Sequence, residues 1–571
     1  MPSSGEPDRW SLEVGGSVYH YSAQLYDLEH WVIDEPSILR MVAGRPAPLD
    51  AQNLILELHQ ELAIPAPLVG TYLEELASTL GSAAAKHRRQ GPSSDQIAKG
   101  RSNLDIVAGF QDAEATMTEG HPAFIASNGR MGFGLREYRE YAPEFGRAFR
   151  YRWLAARREE AHLALSSGRS DDEHWADELG PEALGRFHDC LRRLRLDPAD
   201  FIWIPVHPWQ WQHRIAISFA PDLGRRSLVD LGEMSDQYQP QQSIRTGFNR
   251  SSPRRSYVKT ALSIQNMGFL RGLSPAYMKD TPRINDWVQD LVDGDTTLQE
   301  CRFSILIEHA SIGYTGDAYH QASAPSSQQK MLAALWRQSP IGRLDDGERP
   351  MTMAVLLHRD SAGVSVVSAL VRRSGLEPSE WVRRYLHAYL RPLVYCLVVH
   401  NLAFMPHSEN VILVLRDCAV RRVFMKDIGE EIAVLASHPG LRVPVDIERI
   451  VIPVDDDEAS LAIFTDIFDG VFRFLAGILD QDGTLAARRF WQLVGECVDR
   501  VTAENPNRAR SLDLRQPDFD HSCLNRLQLR NTREMVDLAD PSSSLIRTGK
   551  MKNPIARQDA HPTPPNRGHS G

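Results

Sequence analysis

The sequence predicts a mixed α+β fold in which helices and antiparallel strands both recur along the chain. Apolar residues between positions 380 and 405 repeat at four-residue spacing, which is typical of one buried helix face. Two apolar runs, at 411–415 and 420–428, flank a short polar turn and predict a β-hairpin. With 571 residues, the chain is long enough for about three or four folding units.

The first part of the chain is predicted to be helical. Residues 16–82 are interpreted as helical, since between 51 and 80 leucines are interspersed with Glu and Gln as on amphipathic helices. The polar stretch 88–102 contains Gly and Pro and is predicted to be a loop. The Arg- and Glu-rich stretch 151–196 is again predicted to be helical.

Strands are predicted in the middle of the chain. The run FIWIPV at 201–206 is rich in strand-forming residues, and strands separated by turns are predicted over 227–270. Residues 322–329 are predicted to form a loop. Residues 355–357 and 363–370 are predicted to pair as a further hairpin.

The last part of the chain is predicted to begin with one long helix over 380–405. After the hairpin that follows it, the chain is predicted to be mostly helical to about residue 540. The tail beyond residue 540 ends in PTPPNRGHSG, a composition that predicts disorder.

Composition excludes several classes of protein. Lys and Arg number 64 against 74 Asp and Glu, and the net charge of −10 argues against a nucleic-acid partner. Six Cys without a C-x-x-C pair predict buried thiols rather than a disulfide framework or a zinc site. The first residues do not resemble a signal peptide, and polar residues interrupt the most apolar helix. We therefore expect a soluble cytoplasmic protein without a membrane partner.

Cations and hydroxyl groups cluster between residues 243 and 271. Strand alternation predicts Ser243 and Arg245 on one face with Thr246 at the strand end, Lys259 in the next strand, and Arg271 after the following run. Because unpaired charge is costly to bury, this pattern favours either a solvated face or a site for a polyanion such as a triphosphate. No Walker-type or G-x-G-x-x-G motif occurs, so a phosphate site would have to use side chains.

A second group lies between the long helix and the hairpin. His407, Glu409 and Asn410 follow the helix, and Asp427 closes the second strand of the hairpin. Protein kinases use a loop Asn and a hairpin-end Asp in this order to hold magnesium on ATP. The pattern predicts a nucleotide site with Asn410 and Asp427 as metal ligands, although single residues of these types are more often structural.

A weaker signal lies in EGHPAFIASNGRMGF at 119–133. His121, Asn128 and Arg130 stand in turn-forming pieces next to strand-like residues, and a capping role for His121 is an open alternative. The run HPWQ at 207–210 is equally ambiguous, and its Trp209 is predicted to be core.

Together these segments resemble the NRPS-independent siderophore synthetases, the aerobactin-synthetase (IucA/IucC) superfamily. The matching pieces are EGHPAFIASNGRMGF, PVHPWQ, SIRT, YVKTAL, MGFLRGLSP, FMPHSEN and FMKDIGEE, in this order from residue 119 to residue 431. Each motif is short, and their order and spacing make the resemblance specific.

The resemblance implies a three-part hand. It consists of a helical thumb over 1–115, antiparallel-sheet fingers over 116–375 and an α+β palm with distant kinase likeness over 376–540, followed by the tail 541–571. It also implies the reaction: ATP with Mg²⁺ adenylates a small-molecule carboxylate, and an amine then attacks the acyl-adenylate. A homodimer is expected on the same ground.

The resemblance also implies roles for single residues. Lys259 and Arg271 are expected to stabilise the transition state, and His407 to orient the carboxylate or transfer a proton. The residues that match the family's nucleotide, phosphate and carboxylate motifs are His121, Asn128, Arg130, Ser243, Arg245, Thr246, Lys259, Arg271, His407, Glu409, Asn410 and Asp427.

Several positions depart from the citrate-using members of that family. These members have a second His-Pro, a Lys, a Glu and a Thr-Asn where this sequence has Phe124-Ile125, Asn128, Met405 and Met267-Gly268. The departures resemble the type C subgroup, which activates monoacylated substrates such as a succinylated N-hydroxy-diamine, as in alcaligin, bisucaberin or desferrioxamine assembly. A citrate-dependent ligase, a small-molecule kinase and a non-catalytic siderophore-binding protein are the alternatives.

Overall fold

The computed structural model describes residues 8–89, 91–101, 105–117, 121–322, 325–435, 441–506, 512–523, 528–529 and 546–557. Helices and strands recur throughout these ranges, which confirms the mixed α+β class.

The strands run in chain order as follows: β1 (Asp8–Val14), β2 (Ser17–Tyr26), β3 (His30–Ile33), β4 (Leu39–Val42), β5 (Arg45–Ala47), β6 (Arg152–Arg157), β7 (Ala161–Leu165), β8 (Phe201–Val206), β9 (Leu228–Glu233), β10 (Tyr238–Pro240), β11 (Thr246–Asn249), β12 (Tyr257–Thr260), β13 (Leu262–Asn266), β14 (Phe269–Arg271), β15 (Ser304–Ile305), β16 (Glu308–Tyr314), β17 (Ala333–Arg337), β18 (Arg349–Thr352), β19 (Leu402–Phe404), β20 (Val411–Arg416), β21 (Ala419–Met425), β22 (Ile432–Leu435), β23 (Val451–Ile452), β24 (Asp518–Ser522) and β25 (Arg547–Lys552).

The α-helices are α1 (Ala51–Leu58), α2 (Ala66–Arg88), α3 (Ser94–Lys99), α4 (Ile106–Thr116), α5 (Leu135–Tyr141), α6 (Asp171–Glu178), α7 (Pro181–Arg193), α8 (Pro208–Gln210), α9 (Ala216–Ser218), α10 (Ala220–Gly224), α11 (Pro275–Met278), α12 (Thr281–Gly294), α13 (Thr296–Glu300), α14 (Ala318–Gln321), α15 (Val366–Ser374), α16 (Pro378–Ala388), α17 (Leu390–His400), α18 (Asp456–Ile463), α19 (Arg473–Gln481) and α20 (Ala487–Glu504).

The N-terminal part begins with a five-stranded sheet, so the helical prediction from residue 16 onwards is wrong as far as β5. β2 pairs with β1, β3 and β4, and buried residues alternate along its first half. This period of two belongs to a strand, and Tyr19 fixes the sheet to α1 by donating its hydroxyl to Glu57 at 2.6 Å. The helical prediction for 51–80 is confirmed by α1 and α2, and the boundary of a thumb at residue 115 stays a prediction.

Two further predictions in this half are wrong in part. α3 lies inside the predicted loop 88–102, because Ser93 and Gln96 form a reciprocal capping box at its start. Within 151–196, β6 and β7 precede α6 and α7. β6 is the central strand of a three-stranded sheet with β8 and β9, and four of its consecutive residues are buried.

The predicted strands over 201–206 and 227–270 are confirmed, and they place one strand at the centre of the candidate site. A six-stranded sheet has the order β10-β11-β12-β17-β16-β7. β12 lies inside it, with Lys259 opposite Thr246 of β11 and Tyr257 opposite Arg337 of β17. Around this sheet and the neighbouring β8-β6-β9 sheet, the core is rich in tryptophan, including Trp153 and Trp336.

The hairpin predicted at 355–370 is wrong. Residues Met353–Leu357 form a 3-10 helix and α15 follows. The Ser365 side chain accepts a hydrogen bond from the amide of Ser368 and so caps α15, and Gly375 ends the helix with φ of 68°.

The helix predicted over 380–405 is two helices, α16 and α17, followed by β19. Pro392 lies in the first turn of α17 and has no amide proton, so it cannot donate to the carbonyl of Ala388, and the break falls between them. Asn401 ends α17 in the left-handed conformation, with φ of 51°.

The palm hairpin is confirmed as β20 and β21, in a four-stranded sheet of order β15-β21-β20-β18. Helices α15 and α16 pack against β21, and helices α15 to α20 contribute to one large apolar core. The tail is only partly tested: β25 pairs with β24, so disorder over 547–552 is wrong, whereas residues 541–545 and 558–571 lie outside the described ranges. Among the described residues, no helix is both long and apolar enough to cross a membrane.

Candidate active site

Lys259 lies in β12, where this strand meets the two segments at the base of the β20–β21 hairpin, residues 405–410 and 426–431, which we together call the palm loop. Its ammonium donates to Oδ1 of Asp427 at 2.6 Å and to Oε2 of Glu430 at 2.6 Å. Burial opposes the charge on Lys259, but Asp427 and Glu430 raise its pKa overall. These contacts bring together two predicted site residues that are 168 positions apart in the chain.

Ser243, Arg245 and Thr246 approach the same place from a turn. The predicted alternation of Ser243 and Arg245 on one strand face is wrong, because Ile244 has φ of 54° and β11 begins only at Thr246. The Ser243 hydroxyl donates to the hydroxyl of Thr246 at 2.9 Å. Arg245 donates to the carbonyl of Gly272 and, at 3.4 Å, to Glu430, which also contacts Lys259.

Arg271 ends β14 on the other side of this turn. Its Nη2 donates to the backbone and side-chain oxygens of Asn266 at 3.1 and 3.4 Å, while its buried Nε has no hydrogen-bond partner among the described residues. Burial and the nearby charge of Arg245 lower the pKa of Arg271 to about 10. An incompletely paired, partly buried guanidinium is suited to an anionic ligand.

The N-terminal motif lies against this hairpin. Asn266 donates to the carbonyls of Ser127 and Gly129 at 3.0 and 2.8 Å, so the loop that carries Asn128 and Arg130 is fixed to β13. Asn128 and Arg130 are both buried. Arg130 donates to the same two carbonyls and forms an ion pair with Glu144 at 3.7 Å, so it has structural contacts in addition to its predicted role.

Two histidines from distant motifs lie together. The ring centroids of His121 and His407 are 4.9 Å apart. Burial, followed by the charge of Arg271, lowers the pKa of His121 to about 4; burial and His121 hold the pKa of His407 well below its usual range. Both rings are therefore neutral at pH 7, and His121 Nδ1 is buried without a hydrogen bond among the described residues.

The palm loop supplies oxygen atoms. Asn410 immediately precedes β20, and its Nδ2 donates to the carbonyl of Met405 at 3.1 Å and to Glu431. Asp427 follows β21 with φ of 62°. Since Val411 and Met425 are paired, Asn410 and Asp427 flank the base of one hairpin, and the carbonyl of Asn410 accepts from the amide of Lys426 at 3.0 Å.

The acidic groups of this loop differ in charge state. Burial alone would raise the pKa of Asp427, but Arg337 and Lys259 hold it well below its usual range. Burial and the neighbouring Asp427 raise the pKa of Glu431 to about 7. Burial also raises the pKa of Glu409, against the charges of Lys426 and Arg271.

This donor set fits a magnesium ion that is held together with a nucleotide. Both donors to Asp427 use Oδ1, and Oδ2 receives no hydrogen bond from the described residues. No group of three or more His, Cys, Asp or Glu in the described ranges is arranged to hold a metal ion alone. Mg²⁺ usually takes one or two protein ligands and completes its shell with phosphate and water, which Asn410 and Asp427 would satisfy.

Sequence reasoning missed five charged residues of the site: Arg337, Glu308, Glu430, Glu431 and Lys426. Glu430 and Lys426 stand in the motif FMKDIGEE, where a count of charges around Asp427 would have found them. Arg337 and Glu308 carry no local motif, and only the pairing of β16 with β17 brings them to Asp427.

The remaining predicted elements have structural roles. His207 is fully buried and its Nδ1 accepts from the amide of Trp209, which is itself core as predicted. All six cysteines lie in described ranges and are free; Cys301 and Cys396 are buried, and the other four are partly buried.

Comparison with known proteins gives consistent results along the chain. The profile of the IucA / IucC family matches residues 109–358, and a second profile, described as a Ferric iron reductase FhuF-like transporter, matches residues 379–537. Putrebactin synthase of Shewanella sp. (strain MR-4) is 43% identical over 553 residues, which cover 96% of this chain and 86% of that protein. Aerobactin synthase of Escherichia coli is 28% identical over 531 residues, covering 91% and 89%.

A solved structure agrees with the fold and with the sequence matches. Aerobactin synthetase IucC from a hypervirulent pathotype of Klebsiella pneumoniae superposes with a TM-score of 0.81 at 25% identity, over 97% of this chain and 94% of that one. The chain is therefore a member of the IucA / IucC family of siderophore synthetases, enzymes that condense carboxylates with amines.

Proposed function

We propose that this enzyme uses ATP and Mg²⁺ to adenylate the carboxylate of a succinylated N-hydroxy-diamine and joins it to an amine, so that hydroxamate units are linked and a macrocycle can close. The observation that carries the proposal is the meeting of Lys259, Arg245 and Arg271 with the palm loop of Asn410 and Asp427. Cations on one side and oxygen ligands on the other are what a metal-bound triphosphate and a carboxylate require.

The proposed reaction has two steps. A carboxylate oxygen bonds to the α-phosphorus of ATP, and pyrophosphate leaves with the electron pair of the broken bond. The amine nitrogen then bonds to the acyl carbon, AMP leaves, and the amine loses a proton. Lys259 and Arg271 reduce the repulsion between the two anions in the first step and stabilise the charge that develops on the phosphorus oxygens.

His407 is neutral in this scheme because burial lowers its pKa. A neutral imidazole can donate or accept a hydrogen bond to orient the carboxylate, and it can accept the proton that the amine loses. Mg²⁺, held by Asn410 and Asp427, would neutralise phosphate charge when bound.

The choice of substrate rests on apolar residues where citrate-using relatives carry polar ones. Phe124 is buried against His121, with ring centroids 4.9 Å apart. Met405, whose carbonyl accepts a hydrogen bond from Asn410, is 40% exposed. Apolar side chains suit the polymethylene chain of an acylated diamine better than the three carboxylates of citrate. The 43% identity with putrebactin synthase supports the same choice.

Product analysis tests the proposal. The purified enzyme is incubated with ATP, Mg²⁺ and N-hydroxy-N-succinyl derivatives of putrescine or cadaverine, and nucleotides and products are identified by mass spectrometry. We expect AMP, pyrophosphate and amide-linked oligomers or rings. Turnover with citrate alone would favour the citrate ligase, release of ADP a kinase, and tight binding without ATP consumption a binding protein.

Two further properties belong to this proposal. We place the enzyme in the cytoplasm, where ATP is available and where six unpaired cysteines remain reduced. We also propose a homodimer, which light scattering of the purified protein would test.

A further inference from the structure

Arg337 lies behind the candidate magnesium ligand Asp427 and is almost completely buried. It is the last residue of β17, directly opposite Glu308, the first residue of β16. Its Nη2 donates to Oε1 of Glu308 at 2.7 Å and also to Oδ1 of Asp427. One guanidinium therefore connects the six-stranded sheet to the palm carboxylate.

The second oxygen of Glu308 returns to the chain just beyond Asp427. Oε2 accepts from the amide of Gly429 at 2.8 Å, and the amide of Glu308 is in turn fixed by the side-chain oxygen of Asn285 at 2.9 Å. Glu308, Arg337, Asp427 and Gly429 thus form a closed ring of contacts, which we call the Asp427 ring. In this ring Oε1 of Glu308 binds Arg337 and Oε2 binds Gly429, and Oε2 also accepts from the side-chain amide of Asn285 at 3.4 Å.

The Asp427 ring leaves no space for a side chain at Gly429. A Cβ on Gly429 would lie 2.5 Å from Cγ2 of Thr281 and 2.8 Å from Oε2 of Glu308, so no side chain fits there. Asp427 itself has a left-handed backbone, with φ of 62°, which L-residues adopt at an energetic cost and keep only when their surroundings impose it. The ring supplies that constraint.

Within the described ranges, the ring directs one oxygen of Asp427 away from all other donors. Arg337 and Lys259 both use Oδ1, and Oδ2 accepts from no described group. Lys259 has a second carboxylate partner in Glu430 and can transfer to a phosphate, whereas Arg337 is fixed between two buried carboxylates. Arg337 can therefore keep Asp427 in place after Lys259 has moved.

We propose that Arg337, held by Glu308, is a positioning residue that presents Oδ2 of Asp427 to the Mg²⁺ of MgATP. The inference rests on the proposed function, because it names the support of that same site. It assigns to Arg337 no contact with substrate. As a consequence, Arg337 determines how much Mg²⁺ tightens the binding of ATP. The other cations determine the affinity for ATP without metal.

The test compares nucleotide affinity with and without metal. Calorimetry gives Kd for ATP in excess Mg²⁺ and in EDTA, for the full-length wild type and for Arg337→Met. We expect metal to tighten ATP binding in the wild type at least tenfold, and this ratio to fall to near one in the variant, with the Kd in EDTA changed less than threefold. Arg337→Lys keeps a positive charge but replaces the planar guanidinium by a smaller ammonium group. It is expected to recover only part of the ratio.

A second variant and a matched control separate positioning from folding. Glu308→Gln keeps the size of the side chain and its acceptor for Gly429 but weakens its hold on Arg337, and we expect an intermediate ratio. Arg422→Met removes another buried arginine, paired with Glu348, and is expected to lower Tm without changing the ratio. If Arg337→Met does not fold, Glu308→Gln alone decides.

The outcomes distinguish this inference from the proposed function. A wild type whose ATP binding does not depend on Mg²⁺ overturns both. A wild type with the expected ratio, together with folded Arg337 and Glu308 variants that keep it, overturns the positioning role alone.

Discussion

Two buried polar clusters lie next to each other at strands β12 and β16. The groups of one cluster are ionised, and those of the other are neutral. The first is Lys259 with the Asp427 ring. The second, which we call the fingers cluster, consists of Glu178, His309, Ser256 and His174. Ser256 stands three residues before Lys259, and His309 directly follows Glu308, where the pairing of β16 with β17 is shifted by a bulge. Similar burial has therefore produced different chemistry within a few residues.

The difference follows from pairing. Asp427 and Glu430 both contact Lys259, and Glu308 contacts Arg337. The pKa of Asp427 is held well below its usual range despite the burial that opposes this. In the fingers cluster, burial raises the pKa of Glu178 to about 7 and lowers that of His309 to about 3. The Ser256 hydroxyl lies 2.6 Å from Glu178 and 2.8 Å from His309, so hydrogen bonds replace ion pairs there. Of these two clusters, only the one at the candidate site therefore retains its charge.

Removing Lys259 is expected to produce the largest effect. In Lys259→Met the phosphate loses its buried cation, so ATP–pyrophosphate exchange should fall by about 1,000-fold. Because Asp427 and Glu430 lose a partner, the free energy of unfolding should also fall, by about 3 kcal/mol. Lys279→Met, at an exposed lysine, is the control and should keep both values. Full exchange activity in Lys259→Met would show that the paired cluster is structural, like the fingers cluster.

Arg271 separates ligand binding from ion pairing. It hydrogen-bonds only to Asn266 among the described residues. Arg271→Ala should therefore lower exchange activity by about 100-fold, whereas the free energy of unfolding should change by about 1 kcal/mol. The exchange activity of Arg271→Lys should lie between those of the wild type and Arg271→Ala. A large loss of stability with normal activity would remove Arg271 from the site.

The site was predictable where chemistry follows local order. Asn410 and Asp427 flank a hairpin, so the sequence alone brings them together, and Lys259 stands in a recognisable strand. Arg337 and Glu308 were not predictable, because their meeting depends on the register of β16 and β17 and on a bulge. The prediction that Ser243 and Arg245 share one strand face was wrong, because the left-handed backbone of Ile244 interrupts the strand.

The same reasoning applies to the fold. The palm hairpin and the amphipathic helix α2 have strong local patterns and were predicted correctly. The N-terminal sheet was missed because polar residues alternate with aromatic ones in β2, and its pairing with β1, β3 and β4 decides its structure. The break between α16 and α17 was foreseeable from Pro392, but the apolar spacing dominated the interpretation.

Glu178 is expected to show the cost of an unpaired buried carboxylate. Its pKa is about 7 in the folded state against 4.5 for the free group, so its contribution to stability is full below pH 4.5 and is lost as pH rises through 7. Glu178→Gln should therefore raise the free energy of unfolding by about 2 kcal/mol at pH 8 and by little at pH 4.5. Denaturant unfolding at the two pH values measures this.

The matched control for Glu178 is a carboxylate that is also buried but has a cationic partner. Glu348 forms an ion pair with Arg422. Because Glu348→Gln leaves that buried guanidinium without its partner, it should lower stability at pH 8, opposite in sign to Glu178→Gln. Equal signs for the two variants would contradict the division into paired and neutral clusters.

The smallest expected effect concerns His174, which is fully buried with both ring nitrogens unpaired among the described residues. Burial and the adjacent His309 lower its pKa to about 2, so below pH 6.5 the unfolded chain binds a proton that the folded protein does not, and stability falls as pH falls. His174→Phe keeps the ring that packs on Trp175 and Trp336 and removes this proton. Between pH 7 and 5.5 the variant should lose about 1 kcal/mol less than the wild type. Measuring both proteins also at pH 8, where the imidazole is neutral in the folded and the unfolded state, separates the change in packing from the change in proton binding. If stability depends on pH equally in the variant and the wild type, His174 is charged in the folded protein. The fingers cluster would then hold charge as the Asp427 ring does.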